Sequence, residues 1–173
     1  MTRIVACGRE RLEAILEILN EEIENSTALY DYRPRTAAMM EDWFEAKERG
    51  SYPVIGIVAD DDRLLGFGSY GPFRHWQAYK YTIEHSLYLE PGQRGKGLGA
   101  QLLGELIAAA RGQDYHTLIG GIDAQNTASI ALHRKMGFEL CGTIRHAGFK
   151  FDRWLDLQFY QLLLDTPSRP VAD

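Results

Sequence analysis

The stretch Gln93-Arg94-Gly95-Lys96-Gly97-Leu98-Gly99 lies between an apolar run and a helical pattern. Small residues let backbone N–H groups converge on an anion, and a following helix adds the positive end of its dipole, so the stretch has the makings of a phosphate cradle. Arg94 and Lys96 bring positive charge to it within a chain of formal net charge −5. The pattern is not GxxxxGK[ST], which disfavours a nucleotide-hydrolysing loop, and it is not the GxGxxG of a first βαβ unit. A flexible, glycine-rich turn is the alternative reading. Just ahead of it, Glu84 interrupts the apolar Ile83, Leu87 and Leu89. A carboxylate there is costly to bury unless it has work or a partner, so Glu84 is a candidate general base, with an ion pair to Arg74 or Lys80 as the other possibility. His133 has a side chain that titrates near neutral pH and can move a proton, or it can serve as a structural helix histidine. Asn126 is of the type that caps a helix.

These side chains need a scaffold. Leu12, Ile15, Leu16, Leu19 and Ile23 recur at helical spacing and predict an amphipathic helix over residues 10–25. A second helix is predicted after Pro34, with Met40, Trp43, Phe44 and Lys47 inward and a stop at Gly50; residues 26–32 between them show no period. From Pro53 the period changes to strand, polar turn and strand over 54–59 and 64–70, an antiparallel hairpin. Gly71-Pro72 breaks it, and an aromatic, basic loop leads to a strand over 81–89. A strong helical pattern follows the glycine run. A buried strand over 117–122, a short helix over 127–136 ended by Gly137, and two strands turning near Phe151-Asp152-Arg153 complete the order. Residues 1–6 are taken as leading straight into the first helix. Helices against a mixed sheet make an α/β layer.

At 173 residues and 45% apolar content, the chain is expected to close one core. Its acidic balance disfavours nucleic acid and anionic lipid as partners and favours a small ligand. No run approaches the ~18 apolar residues of a membrane span, and the N-terminus does not have a signal-peptide core, so a cytoplasmic location is expected. Cys7 and Cys141 stand far apart with no metal-ligand spacing, so neither a disulfide nor a metal is expected.

The glycine run, taken as Arg94-x-x-Gly97-x-Gly99, resembles the pyrophosphate-binding signature of the GNAT superfamily of N-acetyltransferases. The block Asn126-Thr127-Ala128-Ser129-Ile130-Ala131-Leu132-His133-Arg134-Lys135-Met136-Gly137-Phe138 resembles that superfamily's Asn-x-x-(Ala/Ser)-x-x-Leu-Tyr-x-x-x-Gly-Phe segment. More narrowly, Glu84-His85-Ser86-Leu87-Tyr88-Leu89, His133 in place of the Tyr frequent elsewhere, and Gly142-Thr143-Ile144-Arg145-His146-Ala147-Gly148-Phe149-Lys150 with Trp154 are similar to the phosphinothricin and methionine sulfoximine/sulfone acetyltransferase branch. The resemblance implies a single GNAT domain over 1–165 and a mixed and mostly antiparallel sheet flanked by helices; the residues of 166–173 themselves predict a disordered tail. It implies acetyl-CoA as co-substrate, held by the loop residues Arg94, Gly95, Lys96, Gly97, Leu98, Gly99 and Ala100, by the backbone of Leu87, Tyr88 and Leu89 as if it were an added strand, and by Asn126 and Ser129.

The same resemblance implies transfer to the α-amine of a small amino-acid-like acceptor. Glu84 would be the base and His133 the acid for the departing thiolate. Arg74, His75, Trp76, Glu84, His85 and Ser86 would contact the acceptor, with Arg74 forming a bidentate pair to its carboxylate. It implies a homodimer. Another amine, such as a protein N-terminus or a polyamine, and a non-catalytic CoA-binding module remain the competing readings.

Overall fold

Leu12–Asn25 (α1) and Ala37–Arg49 (α2) carry their apolar stripes as the periodicity predicts: Ile15, Leu19, Ile23, Met40 and Phe44 are buried. In the computed structural model, which describes residues 1–172, both helices pack on one face of a seven-stranded sheet. Lys47, on the inner stripe of α2, keeps its ammonium satisfied by donating to Tyr70 O at 2.7 Å beside the Trp43 ring.

The sheet consists of Thr2–Ala6 (β1), Val54–Ala59 (β2), Leu64–Pro72 (β3), Thr82–Leu89 (β4), Thr117–Asp123 (β5), Glu139–Lys150 (β6) and Arg153–Leu163 (β7), in the order β1-β2-β3-β4-β5-β7-β6. Every pairing is antiparallel except β4 with β5. Leu98–Gly112 (α3) and Thr127–Lys135 (α4) cover the opposite face, where Leu103, Leu106 and Ala110 meet Ile83, Leu118 and Tyr160. The fold is the α/β layer expected, with one correction. Residues 2–6 form an edge strand on β2 instead of leading directly into a helix. Its residues are almost all exposed, so main-chain pairing holds it and no apolar alternation announces it.

One irregularity of the sheet positions the site. The β4–β5 ladder joins Thr82, Ile83 and Glu84 to Thr117, Leu118 and Ile119 and goes no further, so the strands part beyond Glu84 and leave a slot. Of the residues expected to form a tail, Val171 and Ala172 lie against Tyr81 and Lys80, with Val171 N donating to Tyr81 Oη at 3.0 Å. Asp173 lies outside the described residues.

Candidate active site

The glycine run folds as its composition suggests. Gly95 and Gly97 adopt φ of 77° and 81°, and a Cβ at either would meet nothing within 4 Å, so these are glycines for backbone conformation and not for room. Gly97 caps the N-terminus of α3, whose first bonds are Ala100 N and Gln101 N to Gly97 O. Among the described residues, none of the amides of residues 94–99 donates to a protein acceptor. Consecutive N–H groups at a helix N-terminus suit a diphosphate, by hydrogen bonding and by dipole. Arg94 lies beside them and is ion-paired to Glu22, a carboxylate only 5% exposed that also accepts from Ser26 Oγ at 2.6 Å.

The loop opens into a cleft of about 740 Å³ that follows the slot. Phe73 N donates to Thr82 O and Glu90 N to Leu65 O, which fixes the alternation along β4. The main-chain groups of Thr82, Glu84, Ser86, Tyr88 and Glu90 therefore turn toward β3, while those of Leu87 and Leu89 face the slot. An extended amide-bearing arm laid in the slot can pair with Leu87 and Leu89 as a strand would. Tyr88 lines the cleft but has its backbone engaged by β3.

Successive side chains of a strand point to opposite faces, and on β4 this separates Glu84 from His85. Glu84 is half-buried and faces the α1–α2 side. Burial raises its pKa above the usual carboxylate range, and Arg74 opposes the rise. No ion pair to Arg74 or Lys80 forms: Arg74 donates to Phe73 O at 2.6 Å, and Lys80 Nζ to Ala172 O at 3.0 Å. His85 turns to the other face, where its Nε2 lies 2.9 Å from His133 Nε2 and the two rings stack. His133 Nδ1 donates to Ser129 O at 2.8 Å, so its Nε2 accepts from His85 Nε2–H. Burial, with His133 adding to it, pushes His85 down to about 3, and burial lowers His133 as well. Both are neutral near pH 7. Tandem glycines on β5 make room on both faces. A Cβ at Gly120 would stand 3.1 Å from His85 Cε1, and one at Gly121 would stand 3.1 Å from Glu84 Oε1. Asn126 caps α4, its Oδ1 accepting from Ser129 N at 3.1 Å, with its amide nitrogen uncommitted.

A cradle of free amides, a slot with an exposed strand edge and a half-buried carboxylate across the sheet describe a group-transfer site, and comparison with known proteins agrees. The profile of the Acetyltransferase (GNAT) family matches residues 12–138. The chain belongs to the GNAT acetyltransferase family. It is 46% identical over 162 residues to an L-methionine sulfoximine/L-methionine sulfone acetyltransferase of Pseudomonas paraeruginosa, covering 94% of each protein. To a phosphinothricin N-acetyltransferase of Streptomyces coelicolor it is 30% identical, covering 88% of this chain and 90% of the relative. The structure of a GNAT superfamily phosphinothricin acetyltransferase from Sinorhizobium meliloti in complex with acetyl-CoA superposes with a TM-score of 0.93 at 33% identity, covering 98% of this chain and 92% of that one.

In this GNAT chain not every expected site residue lines the cleft: Glu84 stands at the last β4–β5 pair, beside the slot and outside the cleft lining. Leu87, Tyr88, Leu89, Arg94, Gly95, Gly97, Gly99, Ala100, Asn126, Ser129, His133, His85 and Ser86 line one cleft. Lys96 is exposed and donates to Gln93 Oε1, and Leu98 is packed in the core beneath the loop. Arg74, His75 and Trp76 are exposed and do not line the cleft. Arg74 stacks over Phe73 at 4.1 Å, and its charge reaches Glu84. His85, expected at the acceptor, is instead packed with His133 and Phe138 on the other face. His133 has both ring nitrogens engaged and its one ring proton on Nδ1, so it can yield that proton only by giving up Ser129 O. Glu22, Asn25, Ser26, Thr27 and Ala28 form a further wall of the cleft that no sequence pattern announces.

Proposed function

We propose that the chain transfers the acetyl group of acetyl-CoA to the α-amine of a small amino-acid-like acceptor of the methionine sulfoximine, methionine sulfone or phosphinothricin type. Residues 1–165 form the acetyltransferase domain of a cytoplasmic homodimer. The observation that carries this reading is the slot, which opens at one end onto a diphosphate cradle and at the other beside Glu84. Bound acetyl-CoA supplies a thioester carbonyl that an uncharged amine can attack. The amides of residues 94–99 and Arg94 hold its diphosphate, and Leu87, Leu89 and the free amide nitrogen of Asn126 orient its arm. An amine reaches the site largely protonated, and Glu84, whose raised pKa makes it a stronger base than an exposed carboxylate, accepts the proton directly or through one water. Arg74, beside Glu84, offers a guanidinium to the acceptor's carboxylate. The His85–His133 pair forms the floor on the donor side, and Ser86 lines the acceptor side. A cleft of about 740 Å³ shared with the donor arm leaves space for a small acceptor, which supports amino acids over protein segments.

The test is acetyl-CoA turnover followed by free-thiol release, with methionine sulfoximine, methionine sulfone, phosphinothricin, a polyamine and a peptide N-terminus as acceptors. Release with the amino-acid analogues and a mass shift on their α-amines is expected. Turnover confined to the peptide or polyamine, or tight CoA binding with no release at all, would overturn the reading. Exposed apolar side chains at Leu140, Ile144 and Trp154 support the homodimer, which sedimentation showing only monomer at micromolar concentration would reject.

A further inference from the structure

Lys150, at the end of β6, is a buried cation with no part in the chemistry above. Only 5% exposed, it donates from Nζ to Ile23 O at 2.6 Å, Ser26 O at 2.8 Å and Leu29 O at 2.8 Å. A lysine ammonium has three donors, and all three are used. One acceptor belongs to the last turn of α1, where carbonyls lack helical partners and the dipole is negative; the other two belong to the irregular segment that follows. The two residues before Lys150 engage the same segment. Phe149 O accepts from Tyr32 Oη at 2.8 Å, and a Cβ at Gly148 would stand 2.9 Å from two atoms of the Tyr30 ring. Gly148, Phe149 and Lys150 therefore fit, in turn, a ring, a hydroxyl and three carbonyls of residues 23–32.

That segment matters because of where its inner side lies. Ser26, Thr27 and Ala28 line the cleft, and Tyr30 Oη reaches Asp123 Oδ2 at 3.5 Å on the β5 edge of the slot. By strand alternation Asp123 shares a face with Gly121, whose Cβ position adjoins Glu84. The segment thus runs along the cleft from Ser26, which reaches Glu22 at the cradle end, to Tyr30 on the face of the base, and it has no regular hydrogen bonding of its own to fix its shape.

We propose that Lys150 is a positioning residue for acceptor binding: by clamping three carbonyls it sets the 26–28 wall, and through that wall it decides which amines fit beside Glu84. This rests on the acetyl-transfer reading. The test compares wild type with Lys150→Met, which keeps the chain length and removes the donors, and Gly148→Ala, which disturbs the same segment through Tyr30 and leaves the cation in place. Acceptor KM, kcat, CoA affinity by calorimetry and amide exchange of residues 25–32 are measured. Both variants are expected to raise acceptor KM at least tenfold, to shift CoA affinity at least fivefold less, to speed exchange in the segment and to reorder the acceptors by kcat/KM. Lys150→Arg is expected to recover part of the loss.

An unchanged acceptor KM in an active Lys150→Met protein would overturn the inference, as would equal losses of donor and acceptor affinity. If Lys150→Met does not fold, Gly148→Ala decides by the same criteria. Wild type that acetylates no amine would instead remove the acetyl-transfer reading, and the inference with it.

Discussion

Replacing His85 with Gln should flatten the acid side of the protein's stability profile. His85 is buried and held neutral, and its Nδ1 has no hydrogen-bond partner among the described residues. Its folded pKa of about 3 lies well below the ordinary value near 6.5 of an unfolded chain. The unfolded state therefore binds a proton that the folded state refuses. Nothing is lost above about pH 6.5, and stability falls as pH drops below it, by about 1.4 kcal/mol per pH unit. At pH 5, some 1.5 units below the unfolded value, this one residue costs about 2 kcal/mol, which for a domain of this size is about 4–8 °C in Tm. His133 contributes in the same direction in both proteins. Gln can still donate to His133 Nε2 and carries no titratable group, so Gln at position 85 should remove the slope while roughly keeping the contact. The measurement is urea or thermal unfolding of both proteins at pH 7.5 and pH 5.0. Wild type should lose about 2 kcal/mol more than the variant between the two pH values. Equal losses would show that His85 is protonated in the fold, or not excluded from water, and the neutral floor of the slot would fall with it.

Glu84→Gln should lower kcat by about 10²–10⁴-fold with CoA affinity intact, and the wild-type rate should rise as pH climbs through the elevated Glu84 pKa. The same variant should be more stable than wild type above that pKa and equal to it below the unfolded value, because only ionised Glu84 is penalised by the fold; unfolding curves at high and low pH check the sign. Arg94→Ala strands the buried Glu22 carboxylate and removes a proposed diphosphate contact. CoA affinity by calorimetry should weaken about tenfold and stability drop by about 1–2 kcal/mol, less than for a fully buried pair because Arg94 itself is exposed. Adding Glu22→Gln should restore the stability and leave the affinity low.

The helices were legible because Ile15, Leu19, Ile23 and Met40 recur at a period that burial then uses. The glycine cradle was legible because Gly95 and Gly97 answer a local backbone demand. β1 was not, since an exposed edge strand carries no apolar rhythm. Adjacency in sequence groups His85 with Glu84, although period-two alternation along a strand assigns neighbours to opposite faces and is signal enough to part them. Two later residues carried the matching clue in Gly120 and Gly121, small at the points where an imidazole pair and a carboxylate come close. The 26–28 wall had no local signature. Its shape is dictated from more than a hundred residues away by Lys150, and no pattern within residues 23–32 announces that contact.

The slot separates what the protein can vary from what it cannot. The proposed recognition along Leu87 and Leu89 runs through atoms that any amino acid would present, so an alanine scan of that edge would miss it. The alternate positions Glu84 and Ser86 face the side proposed for the other substrate, while Tyr88 on that side packs against Phe67. On that proposal, a library built at the exposed Ser86 could be searched for new acceptors without eroding the grip on the donor, and one strand would serve as fixed rail and adjustable jaw.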